Sequence, residues 1–509
     1  MVSQALALGV NGLEVYPVEI EVDIQRGLPS LLIIGLGDAQ VKESKDRVRS
    51  AIKNANYEFP SQRITINLAP GNIKKEGTHY DLAIALCLLN SSNQLNLDLS
   101  GYIILGELSL EGNIRPVRGI FPMVMKAKDL SKKVILPWEN AKEAGLVKGV
   151  DVYPVKNLPE AVAFLSGITK KTPFIIKKEK DMFRKPIYEV DFSEVKGQIF
   201  AKRAIEVAIS GMHNLIMIGP PGVGKTMLAR RIPTILPDMA FEEILEVTKI
   251  YSVCGFLNSE EPLMKKRPFR SPHHTSSSIA LVGGGTNIRP GEITLAHNGV
   301  LFLDELPEFS RDSLEALRQP LEDGFVSISR ATKHLRFPSR FILVAAMNPC
   351  PCGYFGSFQK ACHCSSFQIQ KYRRKISGPL LDRIDIHIEL SGIKTDDLMS
   401  KNIPVESSHQ IKKRVEETRK IQNRRFKKEK IFFNAQMNHK HLQKYCILNE
   451  EAKSLLKTTI RELKLSARSY DKILKVSRTI ADLDKSEEIT SFHLSEAVRY
   501  RSLDKSLWI

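Results

Sequence analysis

The residues GPPGVGKT at positions 219–226 have types and a spacing that suit binding of a nucleoside triphosphate. The glycines let backbone N–H groups face phosphate oxygens, and a helix that begins here adds its positive end. Lys225 would hold the β- and γ-phosphates, and the Thr226 hydroxyl would ligate Mg²⁺. A glycine-rich turn before a helix is the structural alternative. The residues predicted to bind ATP here are Gly219, Pro220, Pro221, Gly222, Val223, Gly224, Lys225 and Thr226.

Two carboxylates follow the apolar run GVLFL, which begins at Gly299. A continuous apolar run predicts a buried parallel strand, and its carboxyl end is where nucleotides bind in open α/β sheets. Asp304 would contact Mg²⁺ through water, and Glu305 would polarise the attacking water. Both acids could instead cap the next helix. Together with the phosphate-binding loop, they predict a site that hydrolyses ATP.

Two further polar residues follow other apolar segments. Asn348 ends the strand-like run FILVAAMNP and is suited to orienting water or the γ-phosphate. Arg383 follows a short helical segment in PLLDRIDIHIEL, between Asp382 and Asp385. Taken alone, this arginine is equally well interpreted as one half of a surface ion pair.

Four of the seven cysteines lie within fifteen residues, as two Cys-x-Cys pairs separated by nine residues. Four thiolates suit tetrahedral Zn²⁺, and nearby glycines permit the tight turns such a site needs. His363 offers a competing ligand, and the pairs lack the more familiar Cys-x-x-Cys spacing. A redox-active disulfide and unliganded core thiols remain alternatives to structural zinc. The candidate ligands are Cys350, Cys352, Cys362 and Cys364.

The positive charge is unevenly distributed. The net charge is +18, and residues 401–509 hold 25 Lys and Arg against 14 Asp and Glu. The segment 412–430 has ten basic residues against three acidic ones. A solvated surface is one interpretation, and binding of a nucleic acid is the other, which we favour.

The sequence gives no sign of membrane insertion or export. The first residues lack a basic flank, and acidic residues interrupt their apolar ones, so we expect no signal peptide. No run of about 18 apolar residues exists, so no membrane partner is expected. The remaining cysteines are scattered among apolar neighbours, as in proteins of the reducing cytoplasm, which is the expected location.

Hydrophobic patterning predicts the elements that position these residues. Residues 1–165 alternate strand-like and helical segments, which indicates an α/β domain, and residues 166–190 are Lys- and Pro-rich, as in a linker. Residues 191–395 form a second α/β series whose apolar strands predict a parallel sheet, and residues 396–509 are helical in pattern. The fold class is therefore α/β with a C-terminal helical lid.

In this order the motifs resemble those of AAA+ P-loop ATPases. By that resemblance Asn348 is sensor one, Arg383 is the arginine finger that reaches a neighbouring subunit's ATP, and Arg468 in LSARSYDKIL is sensor two. The implied catalytic set is Glu305, Asn348, Arg383 and Arg468. An arginine finger supplied in trans implies a ring, most often a homo-hexamer.

The resemblance can be narrowed to one branch. The segment before Asp304 looks like a helix-two insertion, residues 323–337 look like a pre-sensor hairpin, and residues 401–435 look like a pre-sensor-two insertion. The last of these leaves open whether Arg468 acts in cis or in trans. These features resemble those of the branch that holds the magnesium-chelatase ATPase subunit and the MCM replicative helicases. The basic residues at the hairpin tip, which contact DNA or form an exposed rim, are Arg330, Lys333 and Arg336.

With NPCPCGY and SGPLLDRID, the whole chain resembles the YifB/ComM family over nearly its full length. This resemblance implies a hexameric helicase that drives branch migration of DNA, branched or single-stranded, in recombination or natural transformation. The alternative is a chelatase-like remodeller of a protein partner for metal insertion. A third interpretation, a DNA-binding scaffold without activity, conflicts with the complete ATP-site set.

The N-terminal domain resembles the Lon-type protease fold, which the RadA recombination factor also uses. In that family a lysine deprotonates a serine nucleophile. Here His79 stands at the serine position and Phe121 at the lysine position. We therefore expect a proteolytically inactive scaffold for assembly or DNA contact.

Overall fold

The computed structural model describes residues 2–176, 186–285, 288–330, 333–357, 360–392, 405–463 and 466–501. The chain divides into two compact units, one of Met1–Arg184 with Phe241–Met264, the other of Lys185–Ala240 with Lys265–Ile509. The first unit thus includes a segment from the middle of the chain. The domain boundaries drawn from the sequence stay a prediction.

The first unit contains a seven-stranded mixed sheet. The strands described in this unit are β1 Ser3–Asn11, β2 Glu14–Gln25, β3 Ser30–Ile34, β4 Arg63–Ala69, β5 Tyr102–Ile104, β6 Glu107–Leu108, β7 Ile114–Arg115, β8 Lys133–Pro137 and β9 Val152–Val155, of which β6 and β7 form a separate pair. Its first helices are α1 Ala39–Asn54, α2 Asp81–Ser91, α3 Ile120–Asp129, α4 Ala141–Ala144 and α5 Leu158–Leu165. The strand order in the sheet is β3-β4-β2-β1-β5-β8-β9.

Helix α2 lies at the centre of this unit because nearly all of its residues are apolar and buried. His79, just before it, is buried, and its Nε2 lies 2.9 Å from the Leu8 carbonyl oxygen. Burial lowers the pKa of His79 to about 4, so the ring is neutral at physiological pH. Phe121 is also buried. Both residues that stand at the protease positions therefore belong to the interior.

The middle of the chain contributes the next strands and helices. The strands are β10 Leu215–Ile218, β11 Phe269–Arg270, β12 Gly283–Gly284, β13 Arg289–Pro290, β14 Val300–Leu303, β15 Phe325–Arg330, β16 Lys333–Pro338, β17 Ile342–Met347 and β18 Ile386–Glu389. The helices are α6 Ile199–Gly211, α7 Lys225–Ile235, α8 Phe241–Cys254, α9 Ser278–Val282, α10 Glu292–Leu295, α11 Arg311–Glu315, α12 Arg318–Asp323, α13 Ser366–Arg373 and α14 Gly378–Leu381. Helix α8 belongs to the first unit, and the other elements belong to the second.

Helix α8 is held in the first unit by a polar contact at its C-terminal end. The Ser252 carbonyl oxygen accepts a hydrogen bond of 3.0 Å from the Gly119 amide, and the Ser252 hydroxyl donates to Glu143 at 2.6 Å. Burial raises the pKa of the Glu143 carboxyl, and the hydrogen bond from the Ser252 hydroxyl partly counteracts that rise.

The five-stranded sheet of the second unit has the order β11-β14-β17-β10-β18, and all neighbouring pairs are parallel. Alternate side chains of β10 pack into two different hydrophobic cores, one on each face of the sheet. Leu215 and Met217 pack with the C-terminal helices, whereas Ile216 and Ile218 pack on the opposite face. The parallel sheet expected from the apolar runs is confirmed.

A helical C-terminal region follows, as predicted. Its described helices are α15 Ser408–Arg425, α16 His439–Tyr445, α17 Glu450–Leu463, α18 Ala467–Leu483 and α19 Ser491–Arg499. Lys472 of α18 lies 3.2 Å from Asp385, which precedes β18. Lys472 and His213 hold the pKa of the buried Asp385 carboxyl well below its usual range, against the opposing effect of burial. Within the described ranges, no helix combines the length and apolar character needed to cross a bilayer.

Candidate active site

The phosphate-binding loop joins β10 to α7, and its glycines are required by its geometry. Gly222 and Gly224 have φ values of 80° and 92°, which side chains with a Cβ rarely adopt. A Cβ on Gly219 would lie 2.6 Å from the Leu390 carbonyl oxygen. The loop therefore takes a shape that few other residues permit at these three positions.

Lys225 lies at the centre of the site and is only 9% exposed. Its Nζ donates hydrogen bonds to the carbonyl oxygens of Gly219 at 2.6 Å and Pro220 at 2.9 Å, and to Asn348 Oδ1 at 3.0 Å. Burial lowers its pKa to about 8, although Asp304 and Glu305 act in the opposite direction. Phosphate oxygens beside this ammonium group would favour its charged form.

The two residues predicted to face Mg²⁺ are in direct contact. The Thr226 hydroxyl donates to Asp304 Oδ2 at 2.7 Å, and the backbone amide of Glu305 donates to Asp304 Oδ1 at 3.0 Å. One hydroxyl and one carboxylate next to a phosphate-binding loop are the oxygen donors that Mg²⁺ uses together with substrate phosphates. This donor set fits the ion.

Glu305 has a partner that the sequence did not reveal. Its backbone is left-handed, with φ of 52°, and its Oε2 lies 3.0 Å from His274 Nδ1. The two residues are thirty-one positions apart, and His274 has the pattern of an ordinary loop residue in SPHHTSSS. His274 therefore restrains the carboxylate that would polarise water, and no spacing rule links the two.

Each of the two predicted arginines lies near an acidic residue. Arg383 pairs with Glu322, donates to the Pro379 carbonyl oxygen at 2.8 Å, and has a side chain only 17% exposed. Arg468 lies 3.8 Å from Asp382. To contact a nucleotide on another subunit, Arg383 must exchange its bond to Glu322 for one to phosphate.

The hairpin predicted from residues 323–337 forms as β15 and β16, with Ser327 opposite Arg336. The Arg336 guanidinium lies over the Phe325 ring at 3.7 Å from its centroid. The side chains of Arg330 and Lys333, which are paired in this register, lie outside the described part of the structure.

The four clustered cysteines converge on one point. Their sulfur atoms all lie within 4.8 Å of one another, and the distances from Cys350 to Cys352 and to Cys362 are 3.3 and 3.7 Å. Tetrahedral zinc with Zn–S bonds of about 2.3 Å places its sulfurs at about 3.8 Å, close to these values. Cys364 completes the set, whereas His363 is exposed and not part of it. The donor set fits a closed zinc site.

The cysteine loop also packs on the phosphate-binding loop. A Cβ on Gly353 would lie 2.8 Å from Pro221 Cδ and 3.8 Å from Asn348 Cγ. Cys350 is two residues beyond Asn348 in the chain. The cluster is therefore placed to fix both the loop and the polar residue that contacts Lys225.

The basic segment 412–430 divides into structural and exposed side chains. Lys412 contacts Asp238, Arg414 contacts Glu206 and Glu406, Arg419 lies over Phe433, and Arg425 contacts Asp482. The other six basic side chains are exposed, and among the described residues none of them has an ion pair. This exposed basic face comprises Lys413, Lys420, Arg424, Lys427, Lys428 and Lys430.

Family comparison covers most of the chain in three parts. Residues 191–398 match the family described as magnesium chelatase, subunit ChlI, and residues 20–140 match the subunit ChlI of Mg-chelatase. Residues 405–501 match the C-terminal part of magnesium chelatase subunit ChlI.

Individual relatives match over nearly the whole length. The chain is 44% identical to YifB of Escherichia coli over 504 residues, which are 98% of this chain and 96% of that protein. It is 43% identical to the competence protein ComM of Haemophilus influenzae over 501 residues, with 97% and 96% covered. A shorter match, 26% identical over 199 residues, is to Lon protease 2 of Bacillus subtilis and covers 34% of this chain and 36% of that protein.

Proposed function

Because this chain belongs to the YifB and ComM family of magnesium-chelatase-like AAA+ ATPases, we propose that it is a ring-forming motor that hydrolyses ATP to move DNA. The finer form of the proposal is a branch-migration helicase. One relative matched over nearly its full length is named a competence protein, which supports a role in handling DNA.

The observation that carries the proposal is the contact set around Lys225. Its ammonium group bridges the phosphate-binding loop to Asn348, while Thr226 bonds Asp304 on the neighbouring side. In our proposal Lys225 replaces these internal bonds with bonds to the β- and γ-phosphates of ATP. Thr226 and, through water, Asp304 would hold Mg²⁺, whose charge would neutralise that of the phosphates.

Hydrolysis then needs a water molecule aligned with the γ-phosphate. In the proposal Glu305 accepts the proton of that water as it attacks, and Asn348 orients it. His274 holds Glu305 by one carboxylate oxygen, which leaves the other available for water. Arg383 of a neighbouring subunit stabilises the charge that develops, which is why we propose a ring, with six subunits as the expected number.

A chelatase-like remodeller of a protein partner remains the second candidate, because all three family matches carry the magnesium-chelatase description. The exposed basic face favours DNA over that candidate, since a polyanion is the partner that six exposed cations fit. The two are separated by the ATPase rate: branched, single-stranded or duplex DNA should raise the rate of the proposed motor. A rate that DNA leaves unchanged favours the remodeller.

Charge reversal on the exposed basic face should weaken DNA binding in a salt-dependent way. We expect Lys420→Glu, Arg424→Glu and Lys427→Glu together to reduce duplex affinity at low salt and to flatten the plot of log Kd against log salt. The slope should change by about 0.9 for each phosphate that the variant no longer neutralises. Titration of labelled duplex at several salt concentrations measures it, and hydrolysis at saturating DNA should change little.

The matched control reverses three exposed lysines of helix α1, Lys42, Lys45 and Lys53, which changes the net charge equally. In this control variant, the plot of log Kd against log salt should keep most of its wild-type slope. Equal reductions of affinity in both triple variants would mean that net charge alone attracts DNA, and that the face on and after α15 is not the binding surface.

We also propose that the four cysteines hold one structural zinc ion. Elemental analysis should find about one zinc per chain. Cys350→Ser with Cys352→Ser should remove the metal and lower the thermal midpoint, because closed zinc sites contribute directly to folding. ATP affinity should fall as well, since Gly353 of this loop packs on Pro221.

Cys254→Ser serves as the control, because Cys254 lies in the first unit and should not affect the metal content. Wild-type protein that is metal-free yet stable and active would show that the four cysteines are unliganded thiols. A disulfide detected by mass spectrometry in active protein would favour the redox interpretation.

A further inference from the structure

A shallow basic groove runs along helix α13, immediately after the cysteine cluster in the chain. It has a volume of about 550 Å³ and uses none of the residues assigned to the ATP site, the hairpin or the exposed basic face. Among the described residues that line it there are four cations and one aromatic ring but no carboxylate. These five are Arg311, Phe367, Lys371, Arg374 and Lys375.

The aromatic ring faces solvent. Phe367 is 73% exposed, although the same helix buries Ile369 and Tyr372 on its other side. Phe367, Lys371 and Arg374 are spaced at i, i+4 and i+7, so they share one face of the helix over about 10 Å. The outer face of α13, continued by Arg374 directly after its last residue, therefore presents a row of one aromatic ring followed by two cations.

The cations of this row are not used by the fold. Within the described ranges, the side chains of Lys371 and Arg374 have no hydrogen bond or ion pair, whereas Lys375 contacts Glu308 at 2.9 Å. The helix is fixed by other groups. Ser365 and Gln368 cap its first turn, and Arg373 donates to the Pro349 carbonyl oxygen at 3.2 Å. The row is thus presented on a helix that is anchored without it.

We propose that this groove binds single-stranded nucleic acid, with an unpaired base stacked on Phe367 and phosphates on Lys371, Arg374 and Arg311. Stacking on exposed aromatic rings combined with a basic groove is how proteins hold single strands without reading sequence. Duplex DNA offers the same phosphates, but its base faces are covered by neighbouring base pairs. The carboxylates of an acidic protein surface would match the charges, but they would not stack on the ring.

This inference deepens the proposed function and rests on it for the identity of the polymer. The groove would hold a strand separated at a branch point, whereas the exposed basic face would hold duplex. The groove therefore predicts that the protein distinguishes single-stranded DNA from duplex DNA, which net charge alone would not do.

The test uses full-length protein with labelled oligothymidylate and with a duplex of equal length. Phe367→Ala should weaken single-strand binding by on the order of tenfold and leave duplex binding nearly unchanged, because only an unpaired base can stack. Phe367→Trp should bind single strands as the wild type does, because the indole ring can also stack on a base. Lys371→Ala with Arg374→Ala should make the single-strand salt slope shallower by about 0.7 per phosphate.

Phe492→Ala is the matched control, because Phe492 is also 73% exposed but lies on α19. It should bind both DNA forms as the wild type does. A photoreactive benzoylphenylalanine in place of Phe367 should crosslink to the oligonucleotide. Crosslinking to another protein chain alone would overturn the inference and identify a protein interface.

The outcomes separate this inference from the proposed function. If the wild type binds and moves DNA while Phe367→Ala binds single strands equally well, the groove is not a strand site and the motor proposal stands. If the wild type binds no form of DNA, both fail.

Discussion

Glu305→Gln protein is expected to bind ATP as the wild type does and to hydrolyse it about 10²–10⁴-fold more slowly. The amide keeps the size of the side chain but cannot accept the proton of the attacking water. The contacts of Lys225 to the phosphate-binding loop do not involve Glu305, so nucleotide binding should persist. Steady-state phosphate release and equilibrium binding of a fluorescent ATP analogue measure the two quantities separately.

Lys225→Ala provides the contrasting variant, because it removes the cation that would hold the β- and γ-phosphates and should weaken binding itself. His274→Ala should preserve binding and reduce the turnover rate less than Glu305→Gln, since it removes only a restraint on the carboxylate. Wild-type turnover in Glu305→Gln would show that the strand ending at Leu303 does not supply the residue that activates water.

Arg383→Ala is expected to lower kcat on the order of a thousandfold while nucleotide affinity stays close to that of the wild type. The reason is that an arginine supplied by a neighbouring subunit acts on charge that develops only during phosphoryl transfer. Glu322→Gln, which removes the negative charge that pairs with Arg383, should retain activity. Arg383→Lys should remain impaired, because ammonium lacks the planar fork of guanidinium.

Mixing two inactive variants tests directly whether Arg383 acts on the ATP bound by a neighbouring subunit. Arg383→Ala and Lys225→Ala subunits, each inactive, should regain part of the activity when combined, since about one quarter of randomly formed interfaces pair an intact Lys225 with an intact Arg383. Mass photometry should show ATP-dependent rings in parallel. Mixtures that stay inactive although they form mixed rings would exclude Arg383 as a residue acting across the interface.

The elements that carry the ATP site were predictable because each had a local signal. The apolar run before Asp304 predicted a buried strand, and it forms as β14 with all four residues buried. The phosphate-binding loop required glycine at positions with positive φ, and its motif marks the start of α7. Signals of this kind depend on neighbouring residues, which is why sequence patterns detect them.

Features set by packing between distant segments were not predictable. Helix α8 belongs to the first unit, although its amphipathic pattern does not indicate which core it joins. The contact of His274 with Glu305 and that of Arg383 with Glu322 depend on how separate elements meet. The basic segment 412–430 indicated the charge correctly but concealed that four of its ten cations stabilise the fold.

The measurement that tests the central proposal most directly is branch migration on a synthetic four-way junction. Wild-type protein with ATP and Mg²⁺ should convert the junction into two duplex products, whereas a non-hydrolysable ATP analogue should support binding without conversion. Glu305→Gln should behave with ATP as the wild type does with the analogue. Wild-type protein that neither binds the junction at low salt nor converts it with ATP would contradict the account and leave the chelatase-like remodeller as the function.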